Sequence, residues 1–193
     1  MDNKNRSTWI AYGMESTFGA HPDSKSGYIN HEGVHVPITR NWNAKHRGPF
    51  QMNRKVQKDY GLENWEVFDV NKASQVYEME VKKRTKNMNK VIELAENLDI
   101  EKDLLEYITW QQGRLGAMDI ITTAAKTEGE LKYVSRKTLK GNSTRPLGGS
   151  SDYSYANDYL SMLKDKWDER KKSSQEYFPL TEEEKVFDSE IKF

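Results

Sequence analysis

Apolar residues recur at helical spacing over most of this chain. Between positions 5 and 18, Ile10, Met14 and Phe18 fall four residues apart, which predicts a short amphipathic helix. From Asn71 onward, Ala73, Tyr77, Val81, Met88, Ile92 and Ala95 keep to one face of a single long helix. Leu104, Leu105 and Ile108 mark a second helix ending near Trp110, and Leu115, Met118, Ile121 and Ala125 mark a third that starts after Gly113. Tyr155, Tyr159, Leu163 and Trp167 define one more, which fades into the charged run at 168–172. Two stretches break the pattern. Residues 141–152 form a Gly/Ser/Pro-rich loop. Residues 20–50 are rich in Gly, Pro, Ser, Asn and His, with a brief apolar alternation at Val34, Val36 and Ile38. That stretch reads as a long loop with room for a small strand or hairpin. Pro179 followed by Thr181 and its three glutamates offers a capping-box start for a short terminal helix. The expectation is a mainly α chain: one helical domain over 1–172, then a charged extension over 173–193.

Composition narrows the function classes. Of 193 residues, 31% are charged and 35% hydrophobic, enough for one sizeable core. Lys plus Arg equals Asp plus Glu at 30 each, so nothing in the overall balance pulls the chain toward nucleic acid or anionic lipid. No apolar run approaches the length of a membrane span, and the N-terminus lacks the basic-then-apolar layout of a secretory signal. The expected product is made in the cytoplasm, monomeric and without stable membrane insertion. The absence of cysteine removes disulfides, thiol nucleophiles and cysteine-ligated zinc.

Two stretches compete as the chemical centre. His31-Glu32-Gly33-Val34-His35 fits the H-E-x-x-H pattern of zinc peptidases, in which two histidines on successive helical turns hold the metal. This segment is a poor helix. Gly33 sits in its middle, Val34 and Val36 are β-branched, and Pro37 disfavours the α region at Val36. A third ligand would also have to come from His21, His46 or a carboxylate. The zinc reading is therefore the minor one, and no metal or cofactor is expected.

The other centre is spread over three segments. In MESTFG (14–19), Glu15 ends the first helix beside its apolar stripe, where partial desolvation can raise a carboxyl pKa enough for proton donation near neutrality. In HRGPFQMN (46–53), Gly48-Pro49 forces a turn that Phe50 and Met52 can anchor while Gln51 faces a cleft. An amide there both donates and accepts hydrogen bonds, which suits an acetamido sugar. In YITWQQGRLGA (107–117), Gln111, Gln112, Trp110 and Arg114 gather at one helix junction as a plausible saccharide ledge.

Taken together, ESTFG, GPFQMN with the later YGL and FD, and the Gln-Gln-Gly junction resemble the soluble lytic transglycosylases, which share the goose-type lysozyme-like fold. The Trp-Gln-Gln-Gly form of the junction is similar to that of phage-encoded members. The resemblance covers about residues 8–167. It implies a peptidoglycan lytic transglycosylase that cleaves the MurNAc–GlcNAc β-1,4 bond with one glutamate and needs no cofactor. Glu15 would be the catalytic acid and base. Gln51, Gln111, Gln112 and Arg114 would contact the glycan, and Tyr153 or Tyr155 would cover the same cleft. The interval from Glu15 to Gln51 is longer than the family's, which marks 20–46 as an insertion, and Trp110 stands where the family has tyrosine. A hydrolysing muramidase remains the alternative if Asp23, Glu32 or Asp69 positions a water. A non-catalytic glycan-binding helical protein is the third reading. The expected partner is the glycan strand of the cell wall, reached by assisted export or carriage in a virion.

Overall fold

The computed structural model describes residues 6–16, 28–31, 34–37 and 45–174. Phe18, His21, Asp23, Glu32 and the 181–184 capping box lie outside the described residues. Within them, in chain order, come α1 (Arg6–Ser16), β1 (Tyr28–His31), β2 (Val34–Pro37), β3 (His46–Arg47), β4 (Met52–Asn53) and α2 (Arg54–Asp59). A 3-10 turn over Glu66–Phe68 leads into α3 (Val70–Thr85), α4 (Asn89–Asn97), α5 (Lys102–Ala124), α6 (Arg136–Gly141) and α7 (Asp152–Ser174). The described part is mainly helical, as the periodicity predicts. The strands make two separate antiparallel pairs, β1 with β2 and β3 with β4.

Helix starts follow short side chains that accept hydrogen bonds from backbone N–H groups left free in the first turn. Asn53 accepts from Val56 N at α2, Asp69 from Asn71 N and Lys72 N at α3, and Ser135 from Thr138 N at α6. Asp69, left open above as a water-positioning carboxylate, is thus a buried helix cap.

The expected single helix from Asn71 is two helices. Lys86–Met88 separates α3 from α4, and Asn87 takes a left-handed φ of 61°. Asparagine tolerates that region better than most residues. The expected break at Gly113 is present, with φ 72° and ψ 167° inside α5. It divides α5 into arms 102–112 and 114–124.

Two arginines stabilise these interruptions. Arg84 donates to the carbonyls of Thr109 (2.7 Å) and Trp110 (2.9 Å), which close the first arm of α5. Arg114 donates to the carbonyls of Arg84 (3.2 Å) and Lys86 (2.6 Å) at the end of α3. Each cation thus sits where helix carbonyls are unpaired and the helix dipole is negative.

The first arm of α5 runs through the middle of the core, with Leu104, Leu105, Tyr107 and Ile108 buried. Helix α5 packs against α3, α4 and α7, and α7 also packs along α1. An aromatic row crosses these elements: Tyr12 stacks on Phe50 (5.8 Å between centroids), Phe50 on Tyr77 (5.2 Å), and Tyr77 meets Trp110 edge-on (5.2 Å). Contacts of this kind add about 0.5–1.5 kcal/mol each beyond area burial. The row fixes α1, the 48–51 turn, α3 and α5 relative to one another. Those are the elements that carry the candidate site.

Candidate active site

Glu15 lies in the last turn of α1, half-buried, directly after the buried Met14. Its carboxyl is raised to about 7, chiefly by burial, against the opposing pull of the Lys166 charge and a hydrogen bond from Tyr107. Its place at a helix C-terminus acts in the same direction as burial, because the carbonyl end disfavours a negative charge. Lys166, on α7, donates to the Met14 carbonyl at 3.0 Å, which ties α7 to the end of α1 beside the carboxyl. Burial lowers the Lys166 ammonium, while Glu15 favours its charged form.

The turn opposite Glu15 is built by GPFQ. Strands β3 and β4 pair His46 with Asn53 and Arg47 with Met52, leaving 48–51 as the connection. Gly48 has φ +71°, and a Cβ there would lie 1.9 Å from the Val67 carbonyl oxygen. No other residue fits that close approach. Gln51 is itself left-handed, with φ 48°. Its backbone N–H and its side-chain amide both donate to the Gly48 carbonyl at 3.0 Å. Trp110 donates its indole N–H to the Phe50 carbonyl at 3.0 Å, clamping the turn onto α5.

Between α1, this turn, α3 and the kink of α5 lies a cleft of about 220 Å³. Glu15, His46, Gln51, Asn53, Val56, Arg84, Trp110, Gln111 and Asn142 line it. Among the described residues, Glu15 is the one acidic side chain in its walls. The rest supply amides, an imidazole, a guanidinium and an indole. That mixture suits a neutral, hydroxyl- and amide-rich ligand with apolar ring faces.

Behind the cleft runs a hydrogen-bonded chain. Gln112 Nε2 donates to the Tyr159 hydroxyl at 2.7 Å, and Tyr159 donates to Gln111 Oε1. Gln111 Nε2 reaches the Tyr107 hydroxyl at 3.4 Å, and the Tyr107 phenol in turn acts to lower the Glu15 carboxyl. Burial raises both phenols, Tyr107 well above its ordinary value and Tyr159 likewise, so they stay protonated donors.

The structure therefore brings Glu15, Gln51 and Gln111 together in one cleft and sets Gln112 behind them in the supporting chain. Arg114 is elsewhere, occupied by the carbonyls that end α3. Tyr155 lies beneath the Arg136 guanidinium, 5.2 Å from its ring centre. Tyr153 accepts from Asn157 through its carbonyl. Neither tyrosine lines the cleft. The HEGVH segment is not helical at either histidine: His31 ends β1 opposite Val34, and His35 lies in β2 opposite Asn30. Two histidines on successive helical turns are not what this backbone provides.

Sequence reasoning missed Asn53, Arg84, Asn142, Tyr107, Tyr159 and Lys166. Tyr107 was findable, since it precedes Gln111 by one helical turn and shares its face. Tyr159 and Lys166, two turns apart on α7, carry no local signal that distinguishes them from core and surface residues. The chain was compared with protein-family models, characterised proteins and solved structures. None of them matches.

Proposed function

We propose that this protein is a peptidoglycan lytic transglycosylase with a lysozyme-like helical domain. The observation that carries the reading is a carboxyl raised to about pH 7 by burial, the one acidic side chain that the described residues place in the wall of a cleft otherwise lined mostly by neutral and basic polar groups. Glycosidases with two carboxylates divide acid and nucleophile or base between them. A cleft with one carboxyl favours chemistry in which the same group serves twice.

In that chemistry Glu15 gives its proton to the glycosidic oxygen as the C1–O bond of N-acetylmuramic acid breaks. The resulting carboxylate takes the proton of the sugar's own C6 hydroxyl as that oxygen bonds to C1. This closes a 1,6-anhydro ring and returns Glu15 to its acid form. No water enters and no cofactor is consumed. Gln51, Gln111, Asn53 and Asn142 are placed to bond acetamido and hydroxyl groups, and the indole of Trp110 to pack against a sugar face. The Trp-Gln-Gln-Gly junction supports a phage-type role in cell-wall lysis. No helix among the described residues is long and apolar enough to cross a membrane.

Mass analysis of products from purified peptidoglycan tests the reading. Anhydro-muramyl ends are expected. Products carrying an added water would make the protein a hydrolysing muramidase on the same acid, and intact glycan strands would remove glycosidic cleavage altogether.

A further inference from the structure

The bonds that the cleft residues make inside the protein decide what each can still offer a ligand. Asn53 Oδ1 accepts from Val56 N at 3.0 Å. That bond orients the amide and leaves Nδ2, which can only donate. Gln111 Oε1 is taken by Tyr159 and by Gln112 Nε2 (3.3 Å), so Gln111 too has only N–H to give. Gln51 is turned the other way: its Nε2 donates to Gly48, and its Oε1 remains. Arg84 adds further donors. Its Nε bonds Glu80 at 2.8 Å, and the two protons of Nη1 go to the Thr109 and Trp110 carbonyls. Neither Arg84 Nη2 nor Asn53 Nδ2 has a partner among the described residues, and both residues line the cleft. The free polar groups are therefore mostly donors, and they call for a ligand that brings acceptors.

Charge favours the same kind of ligand. Glu80, the counterion of Arg84, also pairs with Lys83 at 3.4 Å and accepts from the Tyr60 hydroxyl at 2.8 Å. Two cations thus share one carboxylate, and the Arg84 charge is only partly balanced. His46 is pushed toward its neutral form by burial and by Lys45, which makes Arg84 the main cation of the wall. Its guanidinium also lies 5.6 Å from the centre of the Trp110 ring. Held by these contacts, it is ordered before a ligand arrives, so binding an anion there costs little further entropy.

We propose that Arg84 and Asn53 form a carboxylate-binding subsite of the cleft, which takes the acid carried on the lactyl arm of a muramyl residue. That acid is either the lactyl carboxylate of a bare strand or a carboxylate of the peptide built on it. The inference rests on the glycan reading of the cleft and narrows it to strands that bear a free acid near the cleaved bond. An N-acetyl group alone, with one neutral carbonyl, would not use the charge of Arg84.

The test is binding of the disaccharide GlcNAc–MurNAc, which lacks the scissile bond, followed by amide NMR shifts on the full chain. It is run at about pH 6, where the ligand acid is ionised and Glu15 is mostly protonated. Three forms are compared: the lactyl acid, the neutral lactyl amide, and the lactyl arm carrying a dipeptide that ends in a free carboxylate. One of the two acids is expected to bind about tenfold more tightly than the amide, as suits a charge-assisted bond, and which one does so identifies the source of the carboxylate. Asn53→Asp keeps the helix cap but sets an anion in place of the Nδ2 donor, and is expected to abolish that preference. Arg84→Met is expected to do the same. Equal binding of all three forms overturns the subsite and leaves the glycan reading standing. Binding of none overturns both. A preference that survives in Asn53→Asp and in Arg84→Met places the subsite elsewhere and overturns the assignment. Should Arg84→Met fail to fold, Asn53→Asp decides.

Discussion

Glu15 on α1 and Asp119 on α5 are both carboxylates carried into the protein interior, and their surroundings use them in opposite ways. Asp119 is met by three backbone N–H groups of one loop. Lys132 donates to both its oxygens (3.0 and 2.8 Å), and Tyr133 (2.7 Å) and Val134 (3.0 Å) donate to one. Such a carboxylate fastens a loop to a helix and has little capacity left for anything else. Glu15 is acted on by the Tyr107 phenol and the Lys166 charge, and it lines an open cleft. It is buried enough to hold its proton to about pH 7 and bonded too sparsely to be locked. A buried acid turns from anchor to reagent when its partners are few and one side faces a ligand.

The largest effect expected from breaking this contrast is at Glu15 itself. Glu15→Gln should lower the rate of wall cleavage by roughly 10³-fold, within the range of general acid catalysis, while far-UV circular dichroism stays unchanged. The same variant should be more stable than wild type in alkali. Below pH 4.5 the carboxyl is protonated in folded and unfolded chains alike. As pH rises toward the folded value of about 7, the unfolded chain ionises first and the fold loses stability. Gln removes that loss, a gain of about 3 kcal/mol at most above pH 7 and none below 4.5, readable from urea unfolding at two pH values. In the proposed role, Glu15 sets activity against stability.

The opposite result is expected at Asp119. Asp119→Ala leaves three backbone N–H groups without their acceptor and should cost about 3 kcal/mol of unfolding free energy. The cleavage rate per folded molecule should stay near wild type. A large loss of rate at a temperature where the variant is fully folded would mean that the 132–134 loop shapes the cleft as well.

The smallest effect is expected at Lys166. Its positive charge favours the Glu15 carboxylate, so Lys166→Met should raise the Glu15 midpoint by about half a pH unit. If Glu15 acts in its acid form, as proposed, the alkaline limb of the pH–rate profile should move upward by the same amount. An unmoved limb would confine Lys166 to its bond with the Met14 carbonyl.

The helices were legible where spacing alone decides them. Glu15 was legible because it ends an apolar stripe, and Gly113 because it interrupts one. The break at Asn87 was concealed by arithmetic: Val81 and Met88 are seven residues apart, two helical turns, and both are buried. The hydrophobic phase therefore runs through an interruption of the backbone. Arg114 misled for a related reason. A guanidinium beside two glutamines looks like a ligand contact, yet the nearest unpaired acceptors are the carbonyls that end α3, and those appear only once the chain has folded. The cleft's Arg84 and Asn142 come from segments far from Glu15 in sequence, brought to it by packing. A local reading has no access to them.

The left-handed backbone of Gln51 has a bearing on affinity. Its amide is already folded back on the Gly48 carbonyl, its neighbour Phe50 is stacked between Tyr12 and Tyr77, and the indole of Trp110 holds the carbonyl in between. A ligand arriving at this wall meets a turn whose conformational entropy was surrendered during folding. Association then costs less ordering on the protein side, and selectivity falls on ligands whose shape matches the turn as it stands.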